Sequence, residues 1–455
     1  MLVHAKTRSL LLRVRDPFAL RELIPHSKTL DHPRFNTAVE HTEETVQLLR
    51  NLGIDAPSPI LSQYAWPGRY TPFDHQKQMA EFMTRHRRCF NLSEMGTMKT
   101  AASLWAADYM MKQKVIQRVV ILCTLSTMDV VWAQEVFDTL LHRSCVIVHG
   151  SREKRNAAMA MDKDFYIVNH DGVSIAEVAD SIRKRKDIGL LIVDEGGVFR
   201  SARVDRYKAL AAMIRPNLRV WWLTGTPCPN APTDAWAQCK IINPAKVPQH
   251  FGTFRRQTMV PLSQFKWAPR QGHEDMVFAA MQPAIRFLKK DVIDLPPSVT
   301  VRFQAPLTKE QTTAFKEMRR QMQTEAEDQQ ITAVNAADKL GKLRQILCGA
   351  IKDPTSGKYL IYPHEPRLNV LKEVIDMASA KVVVIVPFKG ITYALEEELK
   401  SSYSLAVVNG DVPTHRRDAI FKAFKTQADP HVLLCHPKVM AHGLNLTEAD
   451  MMIFY

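Results

Sequence analysis

Between residues 67 and 250, five short apolar runs alternate with helical stretches: RVVILC (118–123), CVIVHG (145–150), DFYIVN (164–169), GLLIVDE (189–195) and RVWWLTGT (219–226). Each is apolar at nearly every position, whereas a strand with one wet face is apolar at every second. Strands of this kind must be covered on both sides. Alternation with helices therefore predicts an open parallel sheet with helices on its two faces. Such a sheet takes ligands at the C-terminal ends of its strands. The residues that follow each run are where chemistry is to be sought.

Residues 91–103, NLSEMGTMKTAAS, join a strand-like approach to an Ala-rich helical stretch, Ala101 to Met111. A loop that runs into a helix N-terminus aims backbone N–H groups and the positive end of the dipole at an anion. Lys99 adds a point charge and Thr100 a hydroxyl suited to Mg²⁺. Ser93, Glu94, Met95, Gly96, Thr97, Met98, Lys99 and Thr100 are thus the candidate binding residues for a nucleoside triphosphate. The strict G-x-x-x-x-G-K-S/T pattern is broken, because Ser93 and Met98 stand where its two glycines belong. Alone, the stretch reads equally well as an ordinary loop with a solvated lysine.

Asp194 and Glu195 close the run GLLIVDE. Beside a phosphate loop they read as a Mg²⁺ ligand and a base that orients or deprotonates the attacking water. Without one they are a pair of solvated acids. In WWLTGTPCPN, Pro227 forbids the strand to continue, so Thr224, Gly225 and Thr226 occupy a tight turn at the same expected edge. That turn is placed to sense phosphate state, or is only a turn.

The length of 455 residues corresponds to two to four domains at about 150 residues each. Residues 1–66 read as a small accessory α+β unit, with a strand in SLLLRVRD and a helix over TAVEHTEETVQLLRNLG that stops at Gly53. Residues 67–250 form the first sheet lobe. Over 251–360 the sheet rhythm stops, helices dominate, and the basic connector FLKKDVIDLPP intervenes. Residues 361–455 resume the alternation, and the last strand, DMMIFY, is expected to leave this second lobe incomplete at its C-terminal end.

Sixty-one Lys and Arg against 47 Asp and Glu leave a formal charge of +14, which suits an extended polyanion or a generally solvated basic surface. The seven cysteines form no C-x-x-C pair, so neither a zinc site nor a disulfide framework is indicated. No run reaches the ~18 apolar residues of a membrane span, and none resembles a signal peptide. The expectation is a cytoplasmic or nucleoid-associated protein with no membrane partner.

Taken in order, these stretches resemble the Swi/Snf-type branch of the superfamily 2 helicase-like ATPases. SEMGTMKT resembles that family's D-E-M-G-L-G-K-T, LLIVDEGG its D-E-x-H motif, and LTGTPCPN its L-T-G-T-P-x-x-N. KKDVIDLPPSVT, LTKEQTTAFKEM, KLRQILCGA, VNGDVPTHRRDAIFKAF and CHPKVMAHGLNLTEADMMIFY follow in the family's order, so the likeness runs from about residue 70 to the end. It implies two RecA-like lobes separated by a helical insertion, with ATP and Mg²⁺ as cofactors and double-stranded DNA, read without sequence preference, as partner.

Residue by residue, the resemblance makes Gln76 the adenine reader, Lys99 and Thr100 the phosphate and Mg²⁺ ligands, and Asp194 and Glu195 the metal and water residues. It gives Thr224, Gly225 and Thr226 the coupling of ATP site to nucleic acid. Ser126 and Trp132 fall in a segment that lies along the DNA backbone in the family. Gly443, Leu444 and Asn445 fall in a motif facing both ATP and DNA. Three departures stand out. Met98 replaces the glycine before the lysine, and Gly196-Gly197 replace the usual Ala-His. The sequence ends at Tyr455, ahead of the family's closing Q-x-x-x-R-x-x-R. Loss of a γ-phosphate arginine costs about 10³ to 10⁵ in rate, so the expectation is a low rate, with the sequence either truncated relative to its relatives or served by an arginine delivered from elsewhere.

The resemblance therefore implies an ATP-dependent double-stranded DNA translocase or helicase-like remodeller, with residues 1–66 a possible site for a protein partner. Two other readings remain open, a DNA-binding scaffold with an impaired motor and an RNA helicase of the same fold.

Overall fold

A computed structural model describes the chain apart from residues 264–265, 293–299, 328–332, 354–355 and 441–445, and the chain divides into two compact units, Met1–Pro296 and Pro297–Tyr455. The first begins with an antiparallel sheet of β1 (Leu2–His4), β2 (Ser9–Leu12), β3 (Lys28–Thr29) and β4 (Thr37–Glu40), in the order β1-β2-β4-β3. Leu10, Leu12 and Val39 of this sheet pack on Val46 and Leu49 of the helix Glu43–Asn51. The expected helix over residues 37–53 is thus only half right. Thr37–Glu40 alternates buried and more exposed positions and pairs with β2, a strand pattern. The helix starts after Thr42, whose side chain accepts the N–H of Thr45, with Glu43 and Glu44 in the first turn. Gly53, at φ 78°, ends it as expected.

The five apolar runs are strands of one seven-stranded sheet. Its members are β5 (Arg88–Asn91), β6 (Arg118–Cys123), β7 (Cys145–Val148), β8 (Phe165–Asn169), β9 (Ile188–Asp194), β10 (Arg219–Leu223) and a late strand. After an antiparallel hairpin of β11 (Met259–Pro261) and β12 (Trp267–Pro269), the chain returns as β13 (Ala284–Ile285) beside β5. The order is β13-β5-β10-β9-β6-β8-β7, with every pairing parallel. Helices cover both faces, and two separate apolar cores result. The sheet does not end at residue 250 as expected, since two residues of the late strand suffice to extend it.

In the second unit, a hairpin of β14 (Ala350–Lys352) and β15 (Tyr359–Ile361) precedes a parallel sheet of β16 (Lys381–Ile385), β17 (Leu405–Val408), β18 (Val432–Cys435) and β19 (Ala449–Phe454). Its order is β17-β18-β16-β19. Helices Glu365–Asp376, Lys389–Leu399 and Thr414–Thr426 alternate with these strands and bury apolar side chains on the two faces. Both units thus carry the parallel, helix-covered sheet of a RecA-like lobe. The long helices Lys309–Glu327 and Ala333–Cys348 group with the second unit. Gln311 donates to the Ile346 carbonyl at 3.0 Å, and Thr308 to that of Pro363 at 3.0 Å. Among the described residues, no helix is long and apolar enough to cross a membrane.

Candidate nucleotide site

Register brings the chemistry together. In the central strands, Leu223 of β10 stands level with Asn91 of β5 on one side and Asp194 of β9 on the other. The phosphate-loop candidate, the acidic pair and the Thr-Gly-Thr turn therefore leave three adjacent strands at one edge. The N–H of Thr224 donates to the carbonyl of Asn91 at 3.1 Å. Gly225 packs against the loop itself, because a Cβ there would lie 3.2 Å from the Met95 nitrogen and 3.4 Å from the Ser93 oxygen.

The loop opens the helix Lys99–Lys112, which is buried on nearly all sides and is largely apolar, its buried Asp108 being bound by Tyr64 and Arg143. Lys99 is 8% exposed and folds back on the loop, donating to the carbonyls of Ser93 (2.7 Å) and Glu94 (2.9 Å). Thr97 donates its hydroxyl to Glu94 O at 2.8 Å. Gly96 takes φ 83°, where glycine is at ease. Met98 takes φ 58°, ψ 41°, a left-handed conformation that costs a side chain roughly 1–2 kcal/mol. Met98 thus holds a backbone conformation that a glycine would adopt without strain. Gln76 is buried and braces the loop, accepting from Phe73 N (2.9 Å) and donating to Met98 O (3.4 Å).

Asp194 is held from two directions. Its Oδ2 accepts the indole N–H of Trp132 at 2.9 Å, and its carbonyl accepts from His170 Nε2 at 2.7 Å. Burial and the neighbouring Glu195 carboxylate push Asp194 up to about 6, opposed by Trp132 and Lys99. Glu195 is also raised by burial, against the pull of Lys99. Lys99 is lowered by burial, while Glu195, Asp194 and Glu94 draw it back up. The three groups feel one another electrostatically, as a phosphate-hydrolysing site requires. Glu195 is itself left-handed, at φ 47° and ψ 48°. Two strained non-glycine residues therefore face the same edge, a common mark of functional sites.

Trp132 corrects an expectation. It is fully buried and its one polar hydrogen is spent on Asp194, so the side chain is not offered to a DNA backbone. Ser126, in the turn that follows β6, is exposed and remains available. Thr224 is buried, with its hydroxyl accepting from Thr226 N at 3.3 Å, while Thr226 is exposed. Gly443, Leu444 and Asn445 lie outside the described residues.

Several contributors escaped the sequence reading. The returning segment 283–289 runs along β5 and the loop: Phe90 N donates to Pro283 O, Leu92 N to Ile285 O and Glu94 N to Phe287 O, at 2.8–3.0 Å. Phe287 N donates to Ser93 Oγ (3.1 Å), and Lys289 N to the Glu94 carboxylate (2.8 Å). Its partners lie some 190 residues upstream, beyond any local pattern. The basic connector was the one signal near it.

Two helix-covered parallel sheets, the first with a lysine-bearing loop, an acidic strand end and a Thr-Gly-Thr turn on one edge, define a helicase-type P-loop NTPase. Residues 75–350 match the SNF2-related domain, and 366–455 the helicase conserved C-terminal domain. The chain belongs to the SNF2-related family, the Swi/Snf-type branch of the helicase-like proteins. A similar curated protein is putative protein p41 of Acyrthosiphon pisum secondary endosymbiont phage 1, 21% identical over 403 residues, which are 85% of each chain. Another is the human DNA annealing helicase and endonuclease ZRANB3, 22% identical over 393 residues, 82% of this chain and 34% of that protein. The chain spans most of the phage protein but only about a third of the human one. The Sulfolobus solfataricus SWI2/SNF2 ATPase core in complex with dsDNA is 18% identical, with 86% of this chain and 82% of that one covered and a TM-score of 0.45.

Proposed function

We propose that this chain uses ATP hydrolysis to move along double-stranded DNA without reading its sequence. The observation that carries the reading is the convergence of Lys99, Asp194, Glu195 and the Thr224–Thr226 turn on one sheet edge. Among the described residues no cluster of three or more His, Cys, Asp or Glu forms a metal cage. One carboxylate, Asp194, and one hydroxyl, Thr100, do fit Mg²⁺, which takes few protein ligands and completes its shell with water and phosphate. Bound there, Mg²⁺ would neutralise charge on the transferred phosphoryl group.

The chain's own residues supply the rest. The loop Ser93–Thr100 and the Lys99 ammonium bind the triphosphate, and Gln76 reads the base. Glu195, whose proton affinity is raised by burial, takes a proton from the attacking water. Thr224 and Thr226, joined to each other and packed through Gly225 on the phosphate loop, relay its state toward the nucleic acid. Ser126, which is exposed, together with Asn445 and the excess of basic residues, contacts the DNA backbone. The protein acts in the cytoplasm or on the nucleoid, and residues 1–66 are the candidate surface for a protein partner.

Phosphate release stimulated by duplex DNA and not by RNA is the expected result. Affinity should fall with salt at a slope of about −0.9 per phosphate neutralised, alike on unrelated duplexes. DNA binding without stimulated turnover would leave a scaffold, and stimulation by RNA alone would leave an RNA helicase.

A further inference from the structure

The indole of Trp132 does more than fill space, and its placement is specific. It sits in a π-helical turn, Met128–Ala133, an unusual backbone form that recurs at functional sites. A fully buried indole N–H requires an acceptor. Trp132 finds it in the Asp194 carboxylate, 62 residues away, rather than in a backbone carbonyl nearby. Among the described hydrogen bonds, it is the side chain that engages this carboxylate, and the backbone N–H of Glu195 also favours the charged form. Oδ2 is thereby tied to the indole.

We propose that Trp132 is a positioning residue for the nucleotide's metal ion: its N–H fixes the Asp194 carboxylate in the rotamer that presents one oxygen to Mg²⁺. The inference rests on the reading of Asp194 as the Mg²⁺ ligand. A carboxylate at a strand end turns freely about χ2, and each turn away from the metal is a lost ligand. The hydrogen bond removes that freedom before the metal arrives. Outer-shell partners of this kind typically change metal affinity 10- to 100-fold.

The test is Trp132→Phe, which retains an aromatic ring and removes the N–H. The half-saturating Mg²⁺ concentration for phosphate release is expected to rise about 10-fold or more, with kcat reduced and KM for ATP at saturating Mg²⁺ unchanged. Binding of fluorescent ADP in EDTA should match the parent, and its strengthening by added Mg²⁺ should be lost. A parent-like Mg²⁺ dependence in a folded Trp132→Phe protein would overturn the inference. A parent whose turnover and ADP binding ignore Mg²⁺ would instead overturn the assignment of Asp194. Should the variant not fold, the parent labelled with ¹⁵N-tryptophan decides. One indole resonance must shift on adding Mg²⁺ and ADP and stay in place with ADP in EDTA, and if none does so the inference fails.

Discussion

Gly196 and Trp222 occupy one space: a Cβ on Gly196 would lie 2.0 Å from Nε1 of the Trp222 indole. Trp222 is fully buried, and its N–H donates to Gln238 Oε1 at 2.9 Å, so the ring is anchored and does not yield. The departure from the Ala-His pattern after the acidic pair therefore has a cause in the fold. Its neighbour Gly197 is under no such constraint, because a Cβ there would meet Thr226 O at 3.9 Å. Gly196→Ala should cost about 1–3 kcal/mol through overpacking, whereas Gly197→Ala should stay within about 0.5 kcal/mol of the parent. Urea unfolding of the two variants checks the contrast, and equal midpoints would refute it.

Met98→Gly should stabilise the loop. The left-handed backbone at Met98 opposes the side chain, and glycine removes that cost while adding some entropy to the unfolded chain. The net gain is expected to be under about 1 kcal/mol, with tighter nucleotide binding alongside. Calorimetric titration of ADP against both proteins measures it. Weaker binding in the glycine variant would mean that the thioether side chain itself contributes.

Glu195→Gln and Lys99→Ala should separate chemistry from binding. The glutamine removes a base and leaves the phosphate ligands, so turnover should fall about 10²- to 10⁴-fold with ATP affinity nearly kept. Lys99→Ala removes a phosphate ligand and also the two hydrogen bonds that fold Ser93 and Glu94 into the loop, so nucleotide affinity itself should drop. Stopped-flow binding and phosphate release on each variant distinguish the two outcomes.

Stability should depend on pH through Glu43. Its Oε1 is buried without a partner, and burial, with the Glu81 carboxylate beside it, pushes the group up to about 7 despite Arg50, Arg85 and Arg219. The folded state therefore holds this proton more tightly than the unfolded chain. Below about pH 4.5 the group costs nothing, and between there and about 7 stability declines, because the unfolded chain releases this proton while the fold still holds it; above about 7 the carboxylate ionises in place and the loss levels off. Each unit of difference is worth about 1.4 kcal/mol. Glu43→Gln should raise the melting temperature at pH 8 and change it little at pH 4.5, and thermal melts at both values give the answer.

The sequence by itself determined the parallel sheets, since continuous apolar runs between helical stretches have no other stable partner than helices on two faces. It also determined that Lys99, Asp194 and the Thr224–Thr226 turn share an edge, because in such a sheet every strand end that precedes a helix points the same way. Local competition was harder to read, as at Thr37–Glu40, where β-branched residues beside a capping threonine made a strand and not the first turns of a helix. Only the tertiary structure decided which remote side chains meet. Trp132 reaches Asp194, Trp222 excludes a methyl from Gly196, and segment 283–289 pairs with the phosphate loop from some 190 residues downstream. Periodicity records which face a residue turns to the core. It carries no record of which residue waits on the other side, because that depends on the packing of whole elements against one another.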